Sequence, residues 1–207
     1  MGMREHELIA LAAPPTAAVV RAIRPEQFGA RTPCDEFDVG GLIEHLLHWG
    51  LALARASRNS DGEMSPDGDP LVRLERQIEQ LVAAWSAPSA WEGTATMGGP
   101  HVMPARMIGG MVLVEYVVHG WDLARAADQD VSWDPGLLEF LREEVAATAG
   151  LGREMKAYGD EVPVPPDGAG AGPDARPDRP RSRLDRPVRV ERTDASHPGR
   201  AGGIRYS

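Results

Sequence analysis

Apolar positions recur at three- and four-residue intervals along most of the first 150 residues, with polar residues between them. In residues 5–23, Leu8, Leu11, Ala12, Val19 and Ile23 stand near helical spacing and predict a first amphipathic helix. Pro14 and Pro15 in its middle predict a bend or a split. Residues 31–40, RTPCDEFDVG, form a turn-rich connector. Asp38 then stands as N-cap of a second helix over 39–57, VGGLIEHLLHWGLALARAS, whose first turn Gly40 and Gly41 weaken. Residues 59–70 read as an exposed loop. A third helix over about 70–85 carries Leu71, Leu74, Ile78, Leu81 and Val82 on one face and charges on the other. Residues 91–104 are a long connection, irregular or briefly extended, and Pro104 suits the first turn of a fourth helix over 105–127. A further helix over 134–150 opens with Asp134 as N-cap and Pro135 at its first position. There is no internal repeat and no strand beyond a few residues, so the pattern predicts an all-α bundle.

At residue 163 the pattern stops. PVPPDGAGAGPDARPDRPRSRLDRPVRVERTDASHPGRAGGIRYS is dominated by proline, glycine and arginine, and large apolar residues nearly vanish. Such a segment cannot bury enough apolar surface to offset its ordering entropy. The expected organisation is a helical domain over 1–162 and a disordered tail over 163–207. Charge divides at nearly the same place: residues 1–160 hold 13 basic and 24 acidic side chains, residues 161–207 hold 9 and 7. The acidic body excludes nucleic acid as a natural partner, because phosphate binding needs a concentrated basic face. No run of eighteen apolar residues is present, which excludes a membrane span, and the N-terminus is acidic where a secretory signal is basic. The expected location is the cytoplasm. Cys34 is the only cysteine, so neither an internal disulfide nor a cysteine-rich zinc site can form, and a buried, inert thiol is expected.

The fourth helix, MIGGMVLVEYVVHGWDLARAA over 107–127, poses a chemical problem. With Glu115 at zero and about 100° per residue, His119 falls near +40° and Asp122 near −20°, inside a stripe that includes Ile108, Met111 and Val112. Leu113, Val114, Val117 and Val118 make the remaining faces apolar as well, so the helix should be central. An isolated ionised carboxylate there would cost several kcal/mol on the order of magnitude. An arginine from a neighbour, a neutral hydrogen-bonded cluster or a metal ion would each answer that cost. On the second helix His45 also lies within an apolar stripe, beside Leu42, Trp49, Ala52 and Leu53, whereas His48 sits near its edge. Helical bundles build metal sites from side chains projecting inward from facing helices. His45, Glu115 and His119 would make a two-histidine, one-carboxylate set. Zinc binds such a set with a fourth position open, and iron, nickel or manganese can use it too. Asp122, one turn beyond His119, is placed to accept from its imidazole and orient it. His101, in a loop beside Gly98-Gly99-Pro100, reads as solvated, His6 and His197 have no supporting context, and Trp49, Trp85, Trp91 and Trp121 read as core and rim packing.

TPCDEFDVGGLIEHLLHW (32–49) and ARMIGGMVLVEYVVHGWDLARA (105–126), in that order, resemble the paired signatures of actinobacterial metal-binding proteins. They are similar to the N-terminal domain of mycothiol-dependent maleylpyruvate isomerase, within the DinB-like superfamily, over about residues 5–166. The resemblance implies a DinB-like four-helix bundle with an extra C-terminal helix. It implies a divalent metal, zinc first, on His45, Glu115 and His119, and a small-molecule thiol such as mycothiol as co-substrate for transfer or isomerisation. A bundle whose ion is purely structural is the alternative. The isomerase carries a second domain contributing to its active site, and nothing here resembles it, so the likeness does not extend to maleylpyruvate isomerisation. A short bundle without that domain leaves a face available for a homodimer. The arginine- and proline-rich tail also departs from the family ending, and a reading-frame change near Asp167 would account for it.

Overall fold

The computed structural model describes residues 4–60 and 67–154. The expected tail, its PVPPD start at Pro163, the frame change near Asp167 and His197 all lie outside the described residues. Six α-helices are present in that part of the chain: α1 (Glu5–Ala22), α2 (Val39–Ala56), α3 (Pro70–Trp85), α4 (Ala105–Val114), α5 (Gly120–Ala126) and α6 (Pro135–Glu154). Residues Glu115–His119 form a π-helical turn that joins α4 to α5. A two-residue antiparallel pair, β1 (Thr94–Ala95) with β2 (Met103–Pro104), is the sheet. The fold class is therefore all-α, as the apolar periodicity predicts. Met1–Ala149 forms one compact unit; Gly150–Ser207 is a second, of which the end of α6 is described.

Three of the helix starts have a capping carboxylate. The Asp38 carboxylate accepts from the Gly41 amide at 2.7 Å and opens α2, and Asp134 accepts from Gly136 and Leu137 to open α6. Asp69 does the same for α3, accepting from Leu71 and Val72, with Pro70 at the first helical position where no backbone donor is needed. Pro104 differs from expectation: it ends β2 and precedes α4.

The two prolines of α1 neither split nor end it; α1 is one continuous element. A proline removes the bond to the carbonyl four residues earlier, here those of Ala10 and Leu11. Both are exposed residues, so water satisfies what the prolines release. Leu11 consequently faces solvent, whereas Leu8, Ala12, Val19 and Ile23 are buried as the spacing predicts.

The helices enclose one core. α1 packs on α3 and α5, and α2 packs on α3, α4 and α5, which leaves the α4–α5 run covered from both sides. Ile108, Val112, Leu113, Leu123 and Ala124 are fully buried along it. The α2–α3 contact is close because Gly50 has no side chain; a Cβ there would collide with the Gln77 carboxamide. Gln77 uses that space to donate to the Leu46 carbonyl at 2.6 Å, fixing α2 one residue from His45. At the far end Trp85 donates to the Leu53 carbonyl and Trp91 to the Trp85 carbonyl, with the two rings edge to face at 5.4 Å. Such a pair adds about 1 kcal/mol beyond the area it buries.

The connector before α2 is equally specified. Thr32 Oγ1 lies within bonding distance of the Cys34 and Phe37 carbonyls, at 3.0 and 2.7 Å, and Val39 N–H donates to the Ala30 carbonyl. These bonds fold the 31–38 loop against the start of α2 and set Phe37 beside His45.

Candidate metal centre

Two helical segments supply the His, Glu and Asp side chains of the centre. His45 comes from the second turn of α2, anchored by the Asp38 cap behind it and by Gln77 beside it. Glu115 and His119 are the first and last residues of the π turn, and Asp122 follows in α5. Glu115, His119 and Asp122 are 2%, 1% and 5% exposed, and the His45 side chain 10%. The structure thus brings together all four residues that the sequence singles out.

The geometry is that of convergent donors. Glu115 Oε2 stands 3.4 Å from His45 Nε2 and 3.7 Å from His119 Nε2, and one donor atom from each of the three residues falls within a span of 4.8 Å. Both nitrogen–oxygen distances exceed the ordinary hydrogen-bond range of about 2.7–3.2 Å. They sit close to another number. Two ligands each about 2.0–2.1 Å from one tetrahedral ion are separated by about 3.3 Å. The donor set, with two of its spacings near that value, could therefore hold a divalent cation.

His119 is held for that role from its other nitrogen. Its Nδ1 lies 3.0 Å from Asp122 Oδ2, so Nδ1 carries the proton and donates it to the carboxylate, leaving the Nε2 lone pair directed at Glu115. The two imidazoles meet edge to face, with ring centres 5.2 Å apart. Phe37 lies 4.9 Å from the His45 ring, tilted by 41°, and forms the wall on the more accessible side. Beside the centre, burial and then the nearby Glu115 carboxylate push the Tyr116 phenol well above its ordinary value, so it stays neutral.

The π turn departs from the regular helix expected over 105–127. The hydrogen-bonded span widens by one residue where Glu115 and His119 sit, a change of backbone geometry that recurs at functional sites. A constant angle per residue cannot reveal it. Thr16 and Phe37 also reach this region without having been singled out. Phe37 belongs to the quoted 32–49 motif, but Thr16 carries no signal beyond its place in an apolar stripe.

Other candidates stay apart. His101 is exposed in its loop, His48 is exposed and edge to face with Trp49, and His6 is half-buried in the first turns of α1. Cys34 is buried, Trp85 and Trp91 are core, and Trp49 and Trp121 are rim. No described helix is long and apolar enough to cross a membrane.

Comparison with known proteins places this geometry in a family. The model of the mycothiol maleylpyruvate isomerase N-terminal domain matches residues 10–124, a span that contains all four interior polar residues. Two proteins of Mycobacterium tuberculosis, one from each of two strains and both described as uncharacterized, are 30% identical over 156 residues, covering 72% of this chain and 82% of theirs. No solved structure matches. The chain belongs to the mycothiol maleylpyruvate isomerase N-terminal domain family.

Proposed function

We propose that this protein binds a divalent metal ion through His45, Glu115 and His119 and uses it to activate a low-molecular-weight thiol, with mycothiol as the family's name suggests, for transfer or isomerisation. The observation that carries the reading is the convergence of two imidazole nitrogens and a carboxylate oxygen, from α2 and the π turn, within one ion's reach. Zinc heads the list of metals, since mixed nitrogen and oxygen ligands in a four-coordinate set suit it well. A bound cation supplies a Lewis acid that converts a thiol to thiolate at neutral pH.

The chain's own residues do the rest. Asp122 keeps the proton of His119 on Nδ1, and so keeps Nε2 available. A bound divalent ion would take Glu115 as its single anionic ligand beside two imidazole nitrogens, and would so keep a net positive charge and acidify what it binds. Apolar packing around the π turn excludes water, which strengthens each of these interactions. His45, the most exposed of the three, marks the side from which a small molecule approaches, with Phe37 as its apolar border.

A second reading, a purely structural ion tying α2 to the π turn, is favoured by one observation: Glu115 and His119 are almost entirely buried. One experiment separates the two. The chain is loaded with cobalt and titrated with mycothiol. A new thiolate-to-cobalt charge-transfer band supports thiol activation. Stoichiometric cobalt with an unchanged spectrum supports the structural ion. Failure to take up zinc or cobalt at all sinks both.

A further inference from the structure

Two of the three donors lie at the ends of the π-helical turn that interrupts the α4–α5 run. The Gly120 amide is shared between the Tyr116 and Val117 carbonyls instead of serving one. A widened turn of this kind persists only where its surroundings over-determine it. We infer that Thr16 is what holds it: from α1, Thr16 is a positioning residue for the metal centre, maintaining the π turn that sets Glu115 against His119. The inference rests on the metal reading above.

Thr16 is completely buried, and its Oγ1 lies 2.7 Å from the Tyr116 carbonyl oxygen, a contact between residues 100 apart in sequence. A threonine inside a helix ordinarily gives its hydroxyl proton to the carbonyl four residues back. Here that acceptor, the Ala12 carbonyl, is farther, at 3.2 Å, and already takes the Trp133 indole N–H at 3.0 Å. With one proton to donate, Thr16 gives it to Tyr116. The approach of the helices also depends on Gly120. A Cβ at that position would stand 2.8 Å from Thr16 Oγ1, closer than real side chains come, and a tight 3.1 Å from the Trp133 ring. Thr16, Trp133 and Gly120 thus form a single lock around the middle of the π turn.

The consequence for the centre is angular. Each residue of an α-helix advances by about 100°. If the turn relaxed towards regular α-helix, everything after it would rotate relative to Glu115, and His119 would be carried off its present line together with the Asp122 that orients it. Thr16 touches no donor atom, so its effect would pass entirely through backbone geometry.

The test compares Thr16→Val, which keeps the shape and removes the hydroxyl, with Thr16→Ser, which keeps the hydroxyl and removes the methyl. Cobalt affinity is measured by competition with a chromophoric chelator, and ligand geometry by the visible absorption of the bound cobalt. The expected result is a 10- to 100-fold weaker affinity with a changed spectrum in Thr16→Val, the range seen when outer partners of metal ligands are lost, and near-native behaviour in Thr16→Ser. A folded Thr16→Val chain with native affinity and spectrum overturns the inference, and so does an equal loss in both variants, which would mean packing and not the hydrogen bond. If Thr16→Val does not fold by circular dichroism, Gly120→Ala, which displaces the same hydroxyl, carries the readout: weakened cobalt binding supports the lock, and native binding overturns it. A native chain that binds no cobalt removes the metal reading itself and this inference with it, whereas native binding with an unaffected Thr16→Val removes this inference alone.

Discussion

Arg106 and Glu115 belong to the same run of helix, α4 and the π turn after it, and each is the hub of a cluster of ionisable groups. Around Arg106 the charges have closed up on one another. Its Nε lies 2.6 Å from Glu5 Oε1 and its Nη1 2.8 Å from Glu144 Oε1, while the guanidinium also sits 5.5 Å from the centre of the Phe140 ring. The hydrogen bond to Glu5, with help from Glu144, raises the Arg106 pKa above its ordinary value. Almost half of that side chain is exposed, so water and salt screen the interaction and its stabilising effect is small. Around Glu115 the opposite holds. The environment is dry, every interaction is magnified, and yet the donor atoms stand 3.4 and 3.7 Å apart. Opposite charges free to move at a surface collapse to contact. Donors held at these distances inside a core are positioned by the backbone, and together they could hold a cation.

The sharpest way to break that contrast is to remove one member of each cluster and follow thermal stability with and without zinc. Native protein should melt at higher temperature with zinc, by an amount that grows with its concentration; an ion at 1,000 times its dissociation constant adds about 4 kcal/mol. Glu115→Ala should abolish the zinc-dependent rise and Arg106→Ala should retain it. Equal responses in the two variants would show that zinc acts elsewhere. Next in size is Asp122→Asn. The amide cannot hold the His119 tautomer as the carboxylate does, and zinc affinity measured by chelator competition should fall about 10- to 100-fold, with the fold intact by circular dichroism. Unchanged affinity would show that the 3.0 Å contact between His119 and Asp122 does not prepare the ligand. The smallest effect belongs to the surface cluster. Arg106→Ala should cost less than about 1 kcal/mol in urea unfolding, and the loss should shrink further in high salt. A larger, salt-independent loss would mean that the stem of Arg106 on Phe140, and not its charge, is what matters.

The two clusters were also unequally legible. Glu115, His119 and Asp122 announce themselves because charged residues interrupt an otherwise apolar stripe, and His45 does the same on α2; the periodicity alone placed them inward. Nothing in the pattern predicts that Arg106 meets Glu5 and Glu144, since surface side chains are long and their pairing depends on which helices happen to be adjacent. Nor does the pattern show the π turn, because a helical wheel assumes a constant advance per residue. The prolines of α1 do not split it for a related reason: their cost depends on whether the released carbonyls can reach water, and those of Ala10 and Leu11 belong to exposed residues.

Local chemistry written in the chain was enough to determine where helices begin, through Asp38 and Asp134, which faces are apolar, and which polar residues must share the interior. These depend on interactions within a few residues, and such interactions are carried wherever the sequence goes. Tertiary structure alone decided the distances. That His45 Nε2 and Glu115 Oε2 stand 3.4 Å apart depends on Gln77 bonding into the gap at Gly50, on the cap at Asp38, and on an α1 threonine reaching the backbone of the π turn. The Gln77 and Thr16 contacts join segments far apart in sequence, and an ion's fit turns on tenths of an ångström that only their combined packing can set.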